Sequence, residues 1–197
     1  MLRVGINRRC ISEPTPPDLK SMATITRQEI IEAFERLGQL AVARGTEIEL
    51  ALVGGALMVL RYEAREATRD VDAIILAPYE AFTVRELAQT VADERGWPDD
   101  WLNDGAKGFL IGLSPGPVVF SAPGIEVRSP ATAQLLAMKL SAWRDDVDIA
   151  DARRLLQELP GSRDEIWKSV ESYLVPGNEL KAQYAFADLW EALYGDN

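Results

Sequence analysis

Glu49-Leu50-Ala51-Leu52-Val53-Gly54-Gly55-Ala56-Leu57 is followed a short way on by Thr68-Arg69-Asp70-Val71-Asp72-Ala73-Ile74-Ile75-Leu76. An apolar run enters a double glycine, and a pair of carboxylates spaced by one residue opens the next apolar run. Strand residues at i and i+2 project from the same face, so Asp70 and Asp72 aim their carboxylates at one point, a geometry suited to a divalent cation. Aspartate is a poor strand former, so the pair at the head of so apolar a run calls for an explanation, a solvated strand edge being the plain alternative to a site. A glycine pair at the end of a strand lets backbone amides come close to an anion such as phosphate, because no side chain intervenes. Together the segments point to metal-assisted nucleotide chemistry. The glycines are not a dinucleotide or P-loop fingerprint, since neither G-x-G-x-x-G nor G-x-x-x-x-G-K is present.

Outward from this centre the chain alternates before it turns helical. Thr26 with Glu29 makes a capping box, and Ile30, Ile31, Phe34, Leu37 and Val42 recur at helical spacing up to Gly45. Strands are expected over 48–53 and 70–76, a helix from 56 to 62 directly after the glycine pair, and another over 78–95 that Gly96 stops. The loop 97–108 carries Trp97 and Trp101, read as anchors on the core, and short strands are expected over 117–120 and 125–127. Helices follow over 130–143, 148–158, 162–174 and 178–194. Ile166, Val170, Tyr173 and Leu174, then Leu180, Tyr184, Leu189, Trp190 and Leu193, form apolar stripes that suit a core rather than a ligand. The expected fold is α/β or α+β, a small mixed sheet flanked by helices with a helical C-terminal half. Its parts are a flexible N-terminal tail over 1–21, rich in Pro and Arg, a core over 22–128 starting at Met22, and a helical region over 129–197 packed on that core.

Composition narrows the function classes. The 197 residues carry 21 basic and 31 acidic side chains, and a net charge of −10 argues against a broad nucleic-acid-binding surface. No apolar run approaches the roughly 20 residues of a membrane span, and no secretory signal is recognisable, so a cytoplasmic protein without a membrane role is expected. Cys10 is the only cysteine, which leaves no intrachain disulfide and fits a reducing compartment. There is no histidine, so catalysis would rest on carboxylates, Lys, Arg or hydroxyls. Carboxylates favour hard cations, magnesium or manganese.

The glycine pair heading a helix, with Thr68-x-Asp70-Val71-Asp72 on the next strand, resembles the signature of the nucleotidyltransferase fold of polymerase-beta-like enzymes. The resemblance implies that Gly54 and Gly55 contact a nucleoside triphosphate and that Asp70 and Asp72 are catalytic and bind magnesium. It also implies a third carboxylate from a later strand. Glu126 in Gly124-Ile125-Glu126-Val127-Arg128 is the candidate catalytic residue and metal ligand, though aspartate is commoner there and an exposed strand glutamate is the plainer reading. The segment from Leu135-Leu136-Ala137-Met138-Lys139 to Asp148-Ile149-Ala150-Asp151 resembles the C-terminal part of nucleotidyltransferase-like proteins of abortive-infection and toxin-antitoxin systems. The loop with Trp101-Leu102-Asn103-Asp104-Gly105 resembles an uncharacterised bacterial branch of the same superfamily, and the likeness spans roughly residues 45–160.

At 100° per residue Leu135, Leu136, Leu140 and Trp143 form one apolar arc with Lys139 inside it. An ammonium there needs an anionic partner, for which Asp148, Glu126 and a bound triphosphate all qualify. Lys139 is therefore a candidate nucleotide-binding residue. Arg144 and Asp148, four apart, are expected to pair, and Asp148 is a candidate N-cap. The resemblance implies a nucleoside triphosphate and Mg (or Mn) bound together, with transfer of a nucleotidyl group to a protein or RNA hydroxyl. The alternative is a catalytically inactive binding module of that fold, one partner of a toxin-antitoxin or phage-defence pair. A two-magnesium hydrolase would share the carboxylates without needing the glycine turn.

Overall fold

The computed structural model describes residues 24–78 and 81–195. The tail expected over 1–21, with Cys10, and the expected start at Met22 lie outside them, as do Tyr79 and Glu80 of the expected helix over 78–95. In chain order the elements begin with β1 (Ile25–Thr26), α1 (Arg27–Ala43), β2 (Ile48–Leu52), α2 (Gly54–Leu60), β3 (Ala67–Thr68), β4 (Val71–Ala77) and α3 (Ala81–Arg95). β5 (Leu102–Asn103), a 3-10 turn (Gly105–Phe109), β6 (Val118–Ala122) and β7 (Ile125–Arg128) follow, and then only helices: α4 (Thr132–Ala142), α5 (Asp146–Gln157), α6 (Arg163–Glu171) and α7 (Glu179–Tyr194).

The local signals act as their chemistry dictates. The Glu29 carboxylate accepts the Thr26 amide at 2.8 Å while Thr26 Oγ1 accepts the Glu29 amide, so two otherwise orphaned donors at the start of α1 are satisfied. Ile30, Phe34, Leu37 and Ala41 then fall on the buried side of that helix. Trp101 is 1% exposed and its indole N–H donates to the Ala88 carbonyl at 2.9 Å, with Trp97 packed edge-on to it, so the loop after α3 is anchored as its aromatic residues suggest.

The fold is mixed α/β. Five strands form one sheet in the order β5-β4-β2-β7-β6, and β1 and β3 form a small antiparallel pair beside it. β2 is central, antiparallel to β4 and parallel to β7. Leu50 and Leu52 of β2, Val71 and Ala73 of β4, and Ile125 and Val127 of β7 share the face against which the core packs. The opposite face carries Asp72, Glu49, Glu126 and Arg128. α4 is buried on almost every side because α5, α6 and α7 surround it, and one apolar cluster runs from Ile25 through the sheet to Leu189 in α7. Among the described residues no helix is long and apolar enough to cross a membrane.

Two expectations are corrected here. α2 begins at Gly54 rather than at 56, so the glycine pair is the first part of the helix. Asp145, not Asp148, is the N-cap of α5: its carboxylate accepts the Asp148 amide at 3.0 Å, and Asp148 lies inside the first turn.

Candidate functional site

The end of β2 and the start of β4 meet where the Val53 amide donates to the Asp72 carbonyl at 2.9 Å. The chain turns there into α2 through Gly54, whose φ of +60° lies in the left-handed region that side chains disfavour. A Cβ on Gly54 would overlap Asp72 Oδ2 and lie 3.1 Å from the Asp72 Cβ, so the carboxylate rests directly against glycine backbone. A Cβ on Gly55 would overlap Thr68 Oγ1 and come within 3.3 Å of Arg65 Nη1. The two glycines are thus required by what stands beside them.

Asp70 sits immediately before β4, with the Asn103 side-chain amide 3.5 Å from its Oδ2. Asn103 pairs in register with Asp72 across the β4–β5 ladder, and its own oxygen accepts the Gly105 amide at 2.8 Å, which starts the 3-10 turn. Burial first, and then the neighbouring Asp70 charge, push the Asp72 carboxyl up to about 6, while Lys139 and Arg144 pull the other way. At Asp72, burial and the second carboxylate thus outweigh the two cations.

Facing it is a chain of alternating charges. The Lys139 ammonium lies 2.9 Å from Asp148 Oδ1 and 2.8 Å from Asp151 Oδ2, and those two side chains are only 3% and 2% exposed. Arg144 Nε donates to Asp148 Oδ2 at 3.0 Å, as the spacing of four suggests, and Arg65 Nη2 pairs with Asp151. Burial alone would raise the Asp148 carboxyl, but hydrogen bonds from Arg144 and Lys139 and their charges outweigh it and hold it at about 2. Arg65 Nε is buried without a hydrogen-bond partner.

These groups, Asp151 excepted, line one cavity of about 660 Å³, within the usual range for a small-molecule site. Gly54, Gly55, Asp70, Asp72 and Lys139 all border it. Glu126 does not. Its register partner is Glu49, whereas Asp72 stands level with Val53, so the separation is four residues along β2 and two strand spacings across, roughly 16 Å. Glu126 pairs instead with Arg128 at 2.5 Å and borders a smaller groove with Glu47 and Glu49. The expectation that β7 brings a third carboxylate to the pair is therefore corrected by the strand register.

Among the described residues no three or more acidic or cysteine side chains converge on a metal position. Two carboxylates still fit magnesium, which keeps several waters and takes remaining ligands from substrate phosphates rather than from an all-protein cage. Sequence reasoning missed Arg65, Asn103 and Phe109 as cavity residues, because a loop, a two-residue strand and a 3-10 turn carry no periodicity. It also missed Asp151 as a partner of Lys139, although Asp151 lies three residues after Asp148 on the same helix face. No family model, no curated protein and no solved structure matches this chain.

Proposed function

We propose that the protein binds a nucleoside triphosphate together with magnesium in this cavity, in the manner of a nucleotidyltransferase. The observation that carries the reading is the Asp72 carboxylate resting on Gly54 beside Asp70, on a wall of a cavity that also presents Arg65, Arg69, Lys139 and Arg144. Carboxylates alone would repel a triphosphate; cations alone would have no use for a metal. Both border the one cavity. Asp70 and Asp72 are the residues that hold magnesium, whose chemistry is to neutralise and polarise phosphoryl oxygens. Gly54 and Gly55 leave the backbone accessible to phosphate, and Lys139 and the arginines balance its charge. The cytoplasm, which the single cysteine favours, is the compartment we assign.

Transfer to an acceptor hydroxyl would form a P–O bond at the α-phosphorus, break the α–β bridge and release pyrophosphate, with the hydroxyl proton passing to a base. The displaced Glu126 favours a second reading. With no third carboxylate joining Asp70 and Asp72 among the described residues, the protein acts as a nucleotide-binding module of a two-protein pair and does not itself catalyse transfer. Calorimetric titration with MgATP and MgGTP, beside Asp70→Asn and Asp72→Asn variants, tests the shared premise: binding at least tenfold weaker in both variants is expected, and equal affinity overturns it. Incubation with α-labelled triphosphate and magnesium or manganese separates the readings, because label appearing on protein or RNA requires transfer.

A further inference from the structure

Part of the wall of the same cavity is apolar. Phe109 closes the 3-10 turn and is 37% exposed, and Val147 in the first turn of α5 is 49% exposed, so two large apolar side chains that a folding core does not need stand open at the cavity. Ala106, Leu135, Met138 and Ala142 continue this wall. Of the polar groups beside it, one Asp145 carboxylate oxygen caps α5 and Arg144 Nε is held by Asp148, whereas the apolar side chains themselves offer no donor or acceptor to a base edge. The 3-10 turn fixes the spacing. It begins at Gly105, where a Cβ would lie 3.8 Å from Asp72 Oδ1, and ends at Phe109 four residues on. At about 2 Å per residue the backbone of Phe109 stands roughly 8 Å along the turn from Gly105, about the reach of one phosphate and a pentose.

We infer that Phe109 and Val147 form a platform for the face of the nucleobase, so that the site accepts a nucleoside triphosphate through its base plane and does not read the base edge. This rests on the nucleotide-binding reading above. Stacking on an aromatic face tolerates every base, whereas discrimination between bases needs donors and acceptors placed at the edge. The consequence is a protein that takes purine and pyrimidine triphosphates alike.

Calorimetric titration of the full chain with the magnesium complexes of ATP, GTP, CTP, UTP and inorganic triphosphate, repeated on Phe109→Ala and Phe109→Tyr, tests it. The expected result is affinity for the four nucleotides within about tenfold of one another. Phe109→Ala should weaken each nucleotide at least tenfold, Phe109→Tyr should restore binding, and inorganic triphosphate should bind all three proteins equally. Nucleotides binding Phe109→Ala as tightly as the unaltered protein, or one base preferred a hundredfold, overturns the platform while the nucleotide-binding reading stands. No binding by any of the five ligands overturns both. Matched thermal melts guard against misfolding, and a Phe109→Ala protein that binds inorganic triphosphate normally has kept its site.

Discussion

Gly54→Ala tests how tightly the glycine turn and the carboxylate depend on each other. Alanine at φ +60° costs about 1–2 kcal/mol, offset by about 0.4–1 kcal/mol because the unfolded chain loses freedom. The new methyl also falls on Asp72 Oδ2, and strain from such overpacking adds about 1–3 kcal/mol. The sum is about 2–4 kcal/mol of destabilisation, a fall in Tm on the order of 10 °C for a chain of this size. The informative experiment is the double-mutant cycle with Asp72→Ala, followed by urea unfolding. Without the carboxylate the nearest obstacle is the residue-72 Cβ at 3.1 Å, so Gly54→Ala should cost only about 1–2 kcal/mol there. A coupling of about 1–2 kcal/mol is expected. If the two substitutions add to within about 0.5 kcal/mol, the carboxylate does not occupy the space over Gly54 and the site geometry is wrong.

Lys139→Met leaves Asp148 and Asp151 buried with one arginine each; a lower urea midpoint at constant m, amounting to about 2–3 kcal/mol, is expected, and an unchanged midpoint would deny the ammonium its bridging role. Asp148 is held at about 2, below its unfolded value, so its contribution is fully present above about pH 4 and disappears as pH falls toward 2. Acid titration of stability should show a loss on the order of 2 kcal/mol in that window, and Asp148→Asn should flatten it. Asp72 is shifted the other way, to about 6, so in the metal-free protein its ionisation opposes folding: stability falls as pH rises from about 4 through 6. Asp72→Asn should therefore stabilise the metal-free protein at pH 7 by about 1–2 kcal/mol, allowing for solvent screening, while magnesium should reverse the difference; a variant less stable in both conditions would contradict this.

Local chemistry made much of this legible. The capping box at Thr26 and Glu29 placed α1, the glycine pair marked the β2-to-α2 turn, and the alternation around Asp70 and Asp72 marked β4. What spacing could not supply was register. Ile125-Glu126-Val127 predicts which residue faces which side, but the parallel pairing of Ile48 with Ile125 decides how far along the sheet Glu126 stands. β1, β3 and β5, two residues each, are too short for any periodic signal and exist because a neighbouring strand offers its edge. Lys139 was legible as a lysine in need of an anion, yet the choice among Asp148, Glu126 and a ligand belonged to tertiary packing. It took Asp148 and Asp151 together.

That shared lysine bears on how the molecule comes apart. Arg65, in the loop before β3, is tied through Asp151 to Lys139 on α4, and onward through Asp148 to Arg144. The string of charges stitches the segment that shapes the glycine turn to the helices that follow residue 128. Parting the C-terminal helices from the sheet would strand buried aspartates as well as expose apolar surface, so the two halves have little freedom to loosen separately. Amide hydrogens in α4 and in β2 should exchange through one common opening, and a chain cut at 128 should yield neither half as a stable fold. The cavity walls that these charges tie together, Arg65 with α4 and α5, then loosen only as the fold itself does.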